Sequence, residues 1–174
     1  PQGDQDLAGD DVDANCDGID GDIDQGVFVA KNGSDAGTGG IDDPVLRIAA
    51  GLTKAAQDGK RDVYVATGVY NEAVNLEDGI GLFGGYSSDF QSRNVVLFET
   101  AILGPDPSDE SPGAVNGVNV GTGQGGAQTV LSGFTVIGAN AANVAGSNSY
   151  AVYIKDGGGS LTISNNRIFG GAGG

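Results

Sequence analysis

Apolar residues in this chain recur mostly in short runs that Gly and Asn interrupt. The second half shows this most clearly, with apolar-rich runs at 134–137, 151–154, 161–163 and 168–169. Short apolar runs bounded by such turn-forming residues are typical of β-strands. Earlier in the chain, further strands are predicted at 27–30, 62–66, 73–76, 80–86, 95–98, 101–103 and 115–120. The pattern therefore predicts a fold built almost entirely from short strands and turns.

Two of these runs belong to an internal repeat. Segment 131–138 (LSGFTVIG) aligns without gaps with segment 163–170 (ISNNRIFG). The two lie roughly thirty residues apart, a spacing typical of solenoids. A succession of strand, turn, strand and turn is what one coil of a parallel β-helix contains. Within the second copy, Asn165 and Asn166 occupy positions where we expect Asn side chains to stack between coils as an internal ladder. We expect their role to be structural.

One segment instead has helical spacing. Asp42 or Asp43 is the predicted N-cap, Pro44 falls in the first turn and Gly59 ends the helix. The apolar face comprises Val45, Ile48, Ala49, Leu52, Ala55 and Ala56. An amphipathic helix of this kind suits a lid over the open end of a solenoid, which would otherwise expose unpaired strand groups. We expect this helix to cap the N-terminal end.

Composition narrows the possible partners. The 174 residues are enough for one domain, and the formal net charge is −15 with no His. An acidic chain repels phosphate backbones and anionic membrane surfaces, so neither nucleic acid nor membrane is an expected partner. No apolar run is long enough to span a bilayer. Without His, the cations that such a chain would bind are those that prefer oxygen ligands.

The first 26 residues are polar and acidic, and they contain the sequence D-x-N-x-D-G starting at Asp13. This is the opening of an EF-hand-type loop, whose alternating oxygen ligands wrap a hard cation. Position 12 of the loop is an Asp rather than the longer Glu, and no amphipathic helices flank it. The predicted calcium ligands are Asp11, Asp13, Asn15, Asp17, the carbonyl of Ile19, Asp20, Asp22 and Asp24. Asp4, Asp6 and Asp10 either extend this site or lie on the surface, and the alternative for the whole segment is a solvated acidic linker.

Two resemblances follow from these residues. Segment 11–22 (DVDANCDGIDGD) resembles the Asp/Cys-rich metal-binding motif of secreted proteins from myxobacteria and related bacteria, although Cys16 is the only cysteine here. Segments 63–72 (VYVATGVYNE) and 79–86 (GIGLFGGY) resemble strand-turn signatures of pectin-lyase-like proteins. The resemblance implies a right-handed parallel β-helix at 27–174, preceded by a metal-binding segment at 1–26. It also implies a secreted or cell-surface location, and it is silent on activity.

Candidate catalytic residues are sparse. Glycoside hydrolysis requires two carboxylates about 5–10 Å apart, and the predicted strands contain no such pair. The only basic residues beside acids in the repeats, at Lys155, Asp156 and Arg167, are interpreted as surface. The prediction is therefore a non-catalytic, calcium-stabilised β-helix module with an adhesive or structural role. Its expected partner is a polysaccharide or a cell-surface molecule.

Two alternatives remain open at the level of sequence. The first is the N-terminal part of a polysaccharide-active enzyme whose catalytic coils lie elsewhere. The second is a subunit of a filament that self-associates end to end. Gly170–Gly174 stops where another coil is expected, so we expect more chain or another molecule to cover that end.

Overall fold

The chain winds into a parallel β-helix of about four turns. The structure is a computed structural model that describes residues 6–10, 12–106, 112–141 and 148–174. Its elements are β1 (Gly26–Val29), α1 (Ile48–Asp58), β2 (Asp62–Ala66), β3 (Gly68–Asn71), β4 (Val74–Asn75), β5 (Gly81–Tyr86), β6 (Thr100–Leu103), β7 (Gly113–Val118), β8 (Thr129–Ser132), β9 (Thr135–Ile137), β10 (Tyr150–Lys155), β11 (Leu161–Ser164) and β12 (Arg167–Phe169). Short 3₁₀ turns occur at Ile23–Gln25 and Gln124–Gly126.

Successive coils contribute their strands to three parallel sheets. The first sheet has the order β1-β2-β5-β8-β11, the second β12-β9-β6-β3 and the third β10-β7-β4. Each named strand pairs in parallel with its neighbours. The predicted all-β fold, a parallel β-helix with a capping helix at its start, is confirmed.

The internal repeat corresponds to the strand register. Leu131 pairs with Ile163, and Val136 pairs with Ile168. The gap-free alignment of the two segments therefore superimposes residues that stack directly on one another in adjacent coils. The pair at Asn165 and Asn166 does not form a ladder with the preceding coil, which has Gly and Phe134 at those positions. Instead the Asn166 side chain accepts from the Phe134 amide at 2.9 Å and donates to the Leu131 carbonyl at 2.8 Å.

The first sheet has apolar side chains on both faces, because successive residues of a strand point in opposite directions. Inward-facing residues such as Val63, Leu82 and Leu131 form the column inside the coils. Outward-facing Phe28 and Tyr64 belong to a second cluster on the opposite face, which we call the outer aromatic cluster. Its buried members are Ile19, Phe28, Ala30, Tyr64, Ala66, Phe83, Tyr86 and Phe90. The repeat and the strand pattern predicted stacked coils but not this outer cluster.

The N-terminal end of the column is covered by α1 and the segment before it. Ile48, Leu52 and Ala55 pack into the inner column, as predicted, whereas Ala56 is exposed. Segment 39–45 occupies the free edge of β1: the Phe28 amide donates to the Gly39 carbonyl at 2.8 Å, and the Ala30 amide to the Val45 carbonyl at 2.9 Å. The first strand therefore has partners on both sides.

The predicted start of α1 is wrong, while its predicted end is confirmed. The helix begins at Ile48, and neither Asp42 nor Asp43 caps it. It cannot start earlier because Val45 is hydrogen-bonded to β1 in an extended conformation. The cap comes from Glu72, whose carboxylate accepts from the amides of Ile48 and Ala49 at 3.0 Å each. Gly59 ends the helix with φ of 66° and donates to the Ala55 carbonyl.

The strand predicted at 95–98 is also wrong. This segment is a turn, and the side chains of Val96 and Leu97 are 79% and 74% exposed. The Asn94 side chain accepts from the amides of both residues at 3.0 Å. Such local side-chain bonds compete with strand pairing, which explains why apolar composition alone misled the prediction.

Candidate metal-binding segment

The acidic segment, described at residues 6–10 and 12–25, lies over the outer face of the first sheet. Ile19 is 2% exposed and joins the outer aromatic cluster. The Tyr86 hydroxyl donates to the Asp20 carbonyl at 2.5 Å, and the Asp22 amide donates to the Tyr64 hydroxyl at 2.9 Å. The segment is thus attached to β2 and β5 by both apolar contacts and hydrogen bonds.

The tyrosines beneath this segment are shielded from water. Burial, the dominant cause, raises the pKa of Tyr64 and of Tyr86, and the nearby carboxylates of Asp62 and Asp20 raise these pKa values further. The Tyr64 ring lies at the middle of this support: its centroid is 5.3 Å from that of Phe28 in an edge-to-face contact and 5.3 Å from that of Tyr86 in a tilted contact. The acidic segment therefore rests on a buried, largely aromatic support.

The predicted D-x-N-x-D-G loop is folded around its own polar side chains. The Asp13 carboxylate accepts from the amides of Asp17 and Gly18 at 3.1 Å each. The Asn15 side chain accepts from the Asp17 amide at 2.9 Å and donates to the Asp17 carboxylate at 3.0 Å. Asp17 in turn accepts from the Ile23 amide at 2.9 Å. Three of the predicted ligands, Asp13, Asn15 and Asp17, are therefore brought together on the surface.

The remaining predicted ligands have different positions. The Asp22 carboxylate accepts from the Asp24 amide at 2.9 Å and so caps the following 3₁₀ turn. Asp24 is exposed, and its carbonyl accepts from Lys60 at 2.6 Å. The Ile19 side chain is buried, and Asp11 and Asp4 lie outside the described residues. Asp20 points away from the loop towards a second group of carboxylates.

That second group consists of Asp6, Asp10 and Asp20, which we call the buried acidic cluster. One carboxylate oxygen from each lies within 4.8 Å of the others, and among the described residues no other set of three His, Cys, Asp or Glu side chains is so close. Asp6 is 1% and Asp20 is 7% exposed, while Asp10 is exposed. Asp20 accepts from the Gly9 amide at 2.9 Å, and Asp6 accepts from the Gly21 amide at 3.2 Å.

A buried arginine completes this cluster. The Arg93 guanidinium lies 3.5 Å from the Asp20 carboxylate, and its side chain is 2% exposed. It also donates to the Gly84 carbonyl at 2.9 Å and to the Ser132 hydroxyl at 3.3 Å, which ties the cluster to β5 and β8. Sequence reasoning missed Arg93 because it is far along the chain from the acidic segment and belongs to no local motif.

A cleft of about 450 Å³ runs beside the acidic segment on the outer face of the first sheet. Leu7, Phe83 and Val130 provide apolar lining, and hydroxyl groups of Ser132, Thr162 and Ser164 line the part formed by β8 and β11. Asp62 also borders the cleft; burial raises its pKa, and the adjacent Arg61, at 2.6 Å, partly offsets this.

The basic and acidic residues singled out in the last coils lie on the surface. Arg167 forms an exposed ion pair with Glu99 at 2.7 Å, and Lys155 and Asp156 are exposed. Cys16 is an exposed free thiol. Within the described part of the chain, no helix has the length and apolar character needed to cross a membrane.

The fold places the chain among parallel β-helix proteins. No protein-family model, curated protein or solved structure matches it. The parallel β-helix implied by the pectin-lyase-like resemblance is present, and the finer family assignment stays a prediction.

Proposed function

We propose that this chain is a non-catalytic β-helix module of the pectin-lyase-like type, working outside the cell or on its surface and stabilised by calcium bound to the 13–24 loop. The observation that carries the proposal is the docking of the acidic segment onto the β-helix. Ile19 lies within this loop, is buried in the outer aromatic cluster, and connects the loop to β2 and β5.

This docking gives calcium a route to stabilise the whole fold. The loop holds oxygen atoms of Asp13, Asn15 and Asp17 at one place, and hard oxygen ligands are what calcium prefers. An ion that binds only the folded loop adds to the stability of the native state, by about 2.7 kcal/mol at a free concentration 100 times Kd. It also offsets part of the self-repulsion of a chain with net charge −15.

Thermal unfolding with and without chelator tests this proposal. Removing calcium should lower Tm, and D17N should reduce that difference because Asp17 lies at the centre of the loop. The matched control is D42N, an exposed aspartate outside the acidic segment, which should respond to chelator like the unmodified chain. Identical melting of the unmodified chain with and without chelator would overturn the proposal.

The cleft favours a polysaccharide as the partner for an adhesive role. Ser132 and Ser164 pair in register on adjacent coils, so hydroxyl groups repeat along the cleft at the inter-strand spacing of about 4.8 Å. Affinity electrophoresis in gels containing soluble polysaccharides tests this binding. A polysaccharide that retards the chain should retard T162V/S164A less, while T53V, on the exposed face of α1, should leave the mobility unchanged. Equal retardation of all three would exclude the cleft.

A further inference from the structure

We propose that Asp6, Asp10 and Asp20 form a second divalent-cation site, separate from the loop at Asp13–Asp17, and that the ion it takes is calcium. The site joins the start of the acidic segment to its middle, and Arg93 connects it to the coils beneath. The proposal does not depend on calcium binding to the 13–24 loop.

The first argument is geometric. Calcium binds carboxylate oxygens at about 2.3–2.6 Å, so two oxygens on the same ion are at most about 5.2 Å apart. The three carboxylate oxygens of the buried acidic cluster all lie within 4.8 Å of one another. With small shifts of the side chains, a single ion can therefore contact all three without a rearrangement of the backbone. Exposed Asp10 leaves the ion a path from solvent and room for water ligands.

The second argument is the state of Asp6. Its Oδ2 accepts from the Gly21 amide at 3.2 Å, but its Oδ1 is buried and has no hydrogen-bond partner among the described residues. With the side chain 1% exposed, water does not solvate this oxygen well. A buried carboxylate oxygen without a partner is costly, whereas cation coordination satisfies it. This unsatisfied oxygen distinguishes the cluster from an ordinary patch of surface aspartates.

The third argument is charge. Among the described residues, the three carboxylates and the Arg93 guanidinium leave a formal charge of about −2, which one divalent cation neutralises. Arg61 lies nearby, donating to the Asp6 carbonyl at 3.0 Å, but its own charge is matched by Asp62 at 2.6 Å. The donors are hard oxygens, with no His in the chain and no sulfur in the cluster. This chemistry favours calcium over transition metals.

The site has a structural consequence. An ion held by Asp6 and Asp20 closes the segment between them, and Arg93 links Asp20 to Gly84 and Ser132 of the first sheet. Binding would therefore fasten residues 6–10 across the edge of the cleft, because Leu7 and Gly9 line it. Occupancy of the site thereby controls the shape of the cleft wall.

Calcium titration of the full chain tests the site in a background without the loop ion. In D17N, isothermal calorimetry with calcium alone should still detect one bound ion. Adding D6N or D10N should raise the Kd for that ion at least tenfold, whereas adding D42N should leave the Kd unchanged. D10N guards against misfolding, because Asp10 is exposed. Absence of calcium binding to D17N, or unchanged binding in both D6N/D17N and D10N/D17N, would overturn the proposal.

A stability measurement separates ion binding from a purely structural role of Asp6. The Asn in D6N can still accept from Gly21 but removes the buried charge. In chelator, D6N should therefore melt at or above the Tm of the unmodified chain; in calcium, the order should reverse. A D6N variant that melts lower by the same amount in both conditions would show that Asp6 only packs, and would contradict the site. If only the loop proposal fails, D17N should respond to chelator like the unmodified chain. The order of the Tm values of D6N and the unmodified chain should still reverse between chelator and calcium.

Discussion

Equivalent inward-facing side chains differ in solvent exposure between the two ends of the β-helix. At the N-terminal end, Val27 is 2% exposed, because α1 and segment 39–45 lie over the first coil. At the C-terminal end, Ile163 and Ile168 are 40% and 47% exposed, although they stack on Leu131 and Val136, which are fully buried. Burial in a solenoid is therefore set by the neighbouring coil as much as by the residue.

The difference also bears on the hypothesis of end-to-end assembly. Head-to-tail stacking would place β11 of one chain against β1 of another, and β12 against β3. The edge of β1 already pairs with segment 39–45, and α1 packs over the first coil. Stacking in that direction would have to displace this cap, so the structure disfavours it. Self-association through the exposed C-terminal coil itself stays a prediction.

The largest expected effect is alkaline unfolding that originates in the capped half. Burial raises the pKa of Tyr64, Tyr70 and Tyr86, all of which lie on β2, β3 and β5. Above the ordinary value of 10.0, the unfolded chain releases protons that the native chain retains, so stability falls as pH rises. The loss should be about 1.4 kcal/mol per pH unit for each tyrosine.

Combined tyrosinate absorbance and circular dichroism would measure this effect. The buried phenols should ionise only as the native dichroism is lost. Y70F should reduce the fall of the unfolding free energy with pH by the contribution of one tyrosine. Complete ionisation of all five tyrosines in a chain with native dichroism would contradict the burial seen here.

The next effect compares the same repeat position in two coils. L131A removes a fully buried side chain and should cost about 2–5 kcal/mol in urea unfolding. I163A alters the residue stacked directly on it, but its partial exposure should reduce the cost to about 1 kcal/mol. Equal costs would mean that another molecule covers the C-terminal coil in solution, which a dependence on protein concentration would confirm.

A smaller effect tests the capping of α1. E72A removes the carboxylate that accepts from the Ile48 and Ala49 amides and should destabilise the chain by about 1 kcal/mol. E77A, at an exposed glutamate on the same coil, should stay within about 0.5 kcal/mol of the unmodified chain. If the two variants unfold alike in urea, Glu72 is not the cap.

The smallest effect concerns a turn of the exposed coil. Asn165 has a φ of 55°, where Gly is tolerated and Ala is strained. N165A should therefore cost about 1 kcal/mol, while N165G should leave stability nearly unchanged. The difference in urea midpoint between these two variants measures the strain, and a smaller loss in N165A than in N165G would contradict the turn geometry.

Local patterns predicted much of the fold because their causes are local. The strands and the end of α1 each depend on residues close together in sequence. Their signals are the strand-sized apolar runs, the repeat at 131–138 and 163–170, and Gly59. The misassigned elements depend on partners elsewhere: Val45 is drawn into an extended conformation by β1, and Glu72 replaces the expected cap. For the candidate site, Asp13, Asn15 and Asp17 were found by their spacing, but the partners of Asp20 were not.

By itself, the sequence determined that the chain forms stacked coils, the register of the last two coils, and the position of a polar loop at residues 13–18. Each of these follows from the order of neighbouring residues. Only the tertiary structure decided that the acidic segment packs on an outer aromatic cluster and that Asp6, Asp20 and Arg93 meet beneath the surface. The reason is that these contacts join distant parts of the chain, and the winding of the coils sets which parts become neighbours.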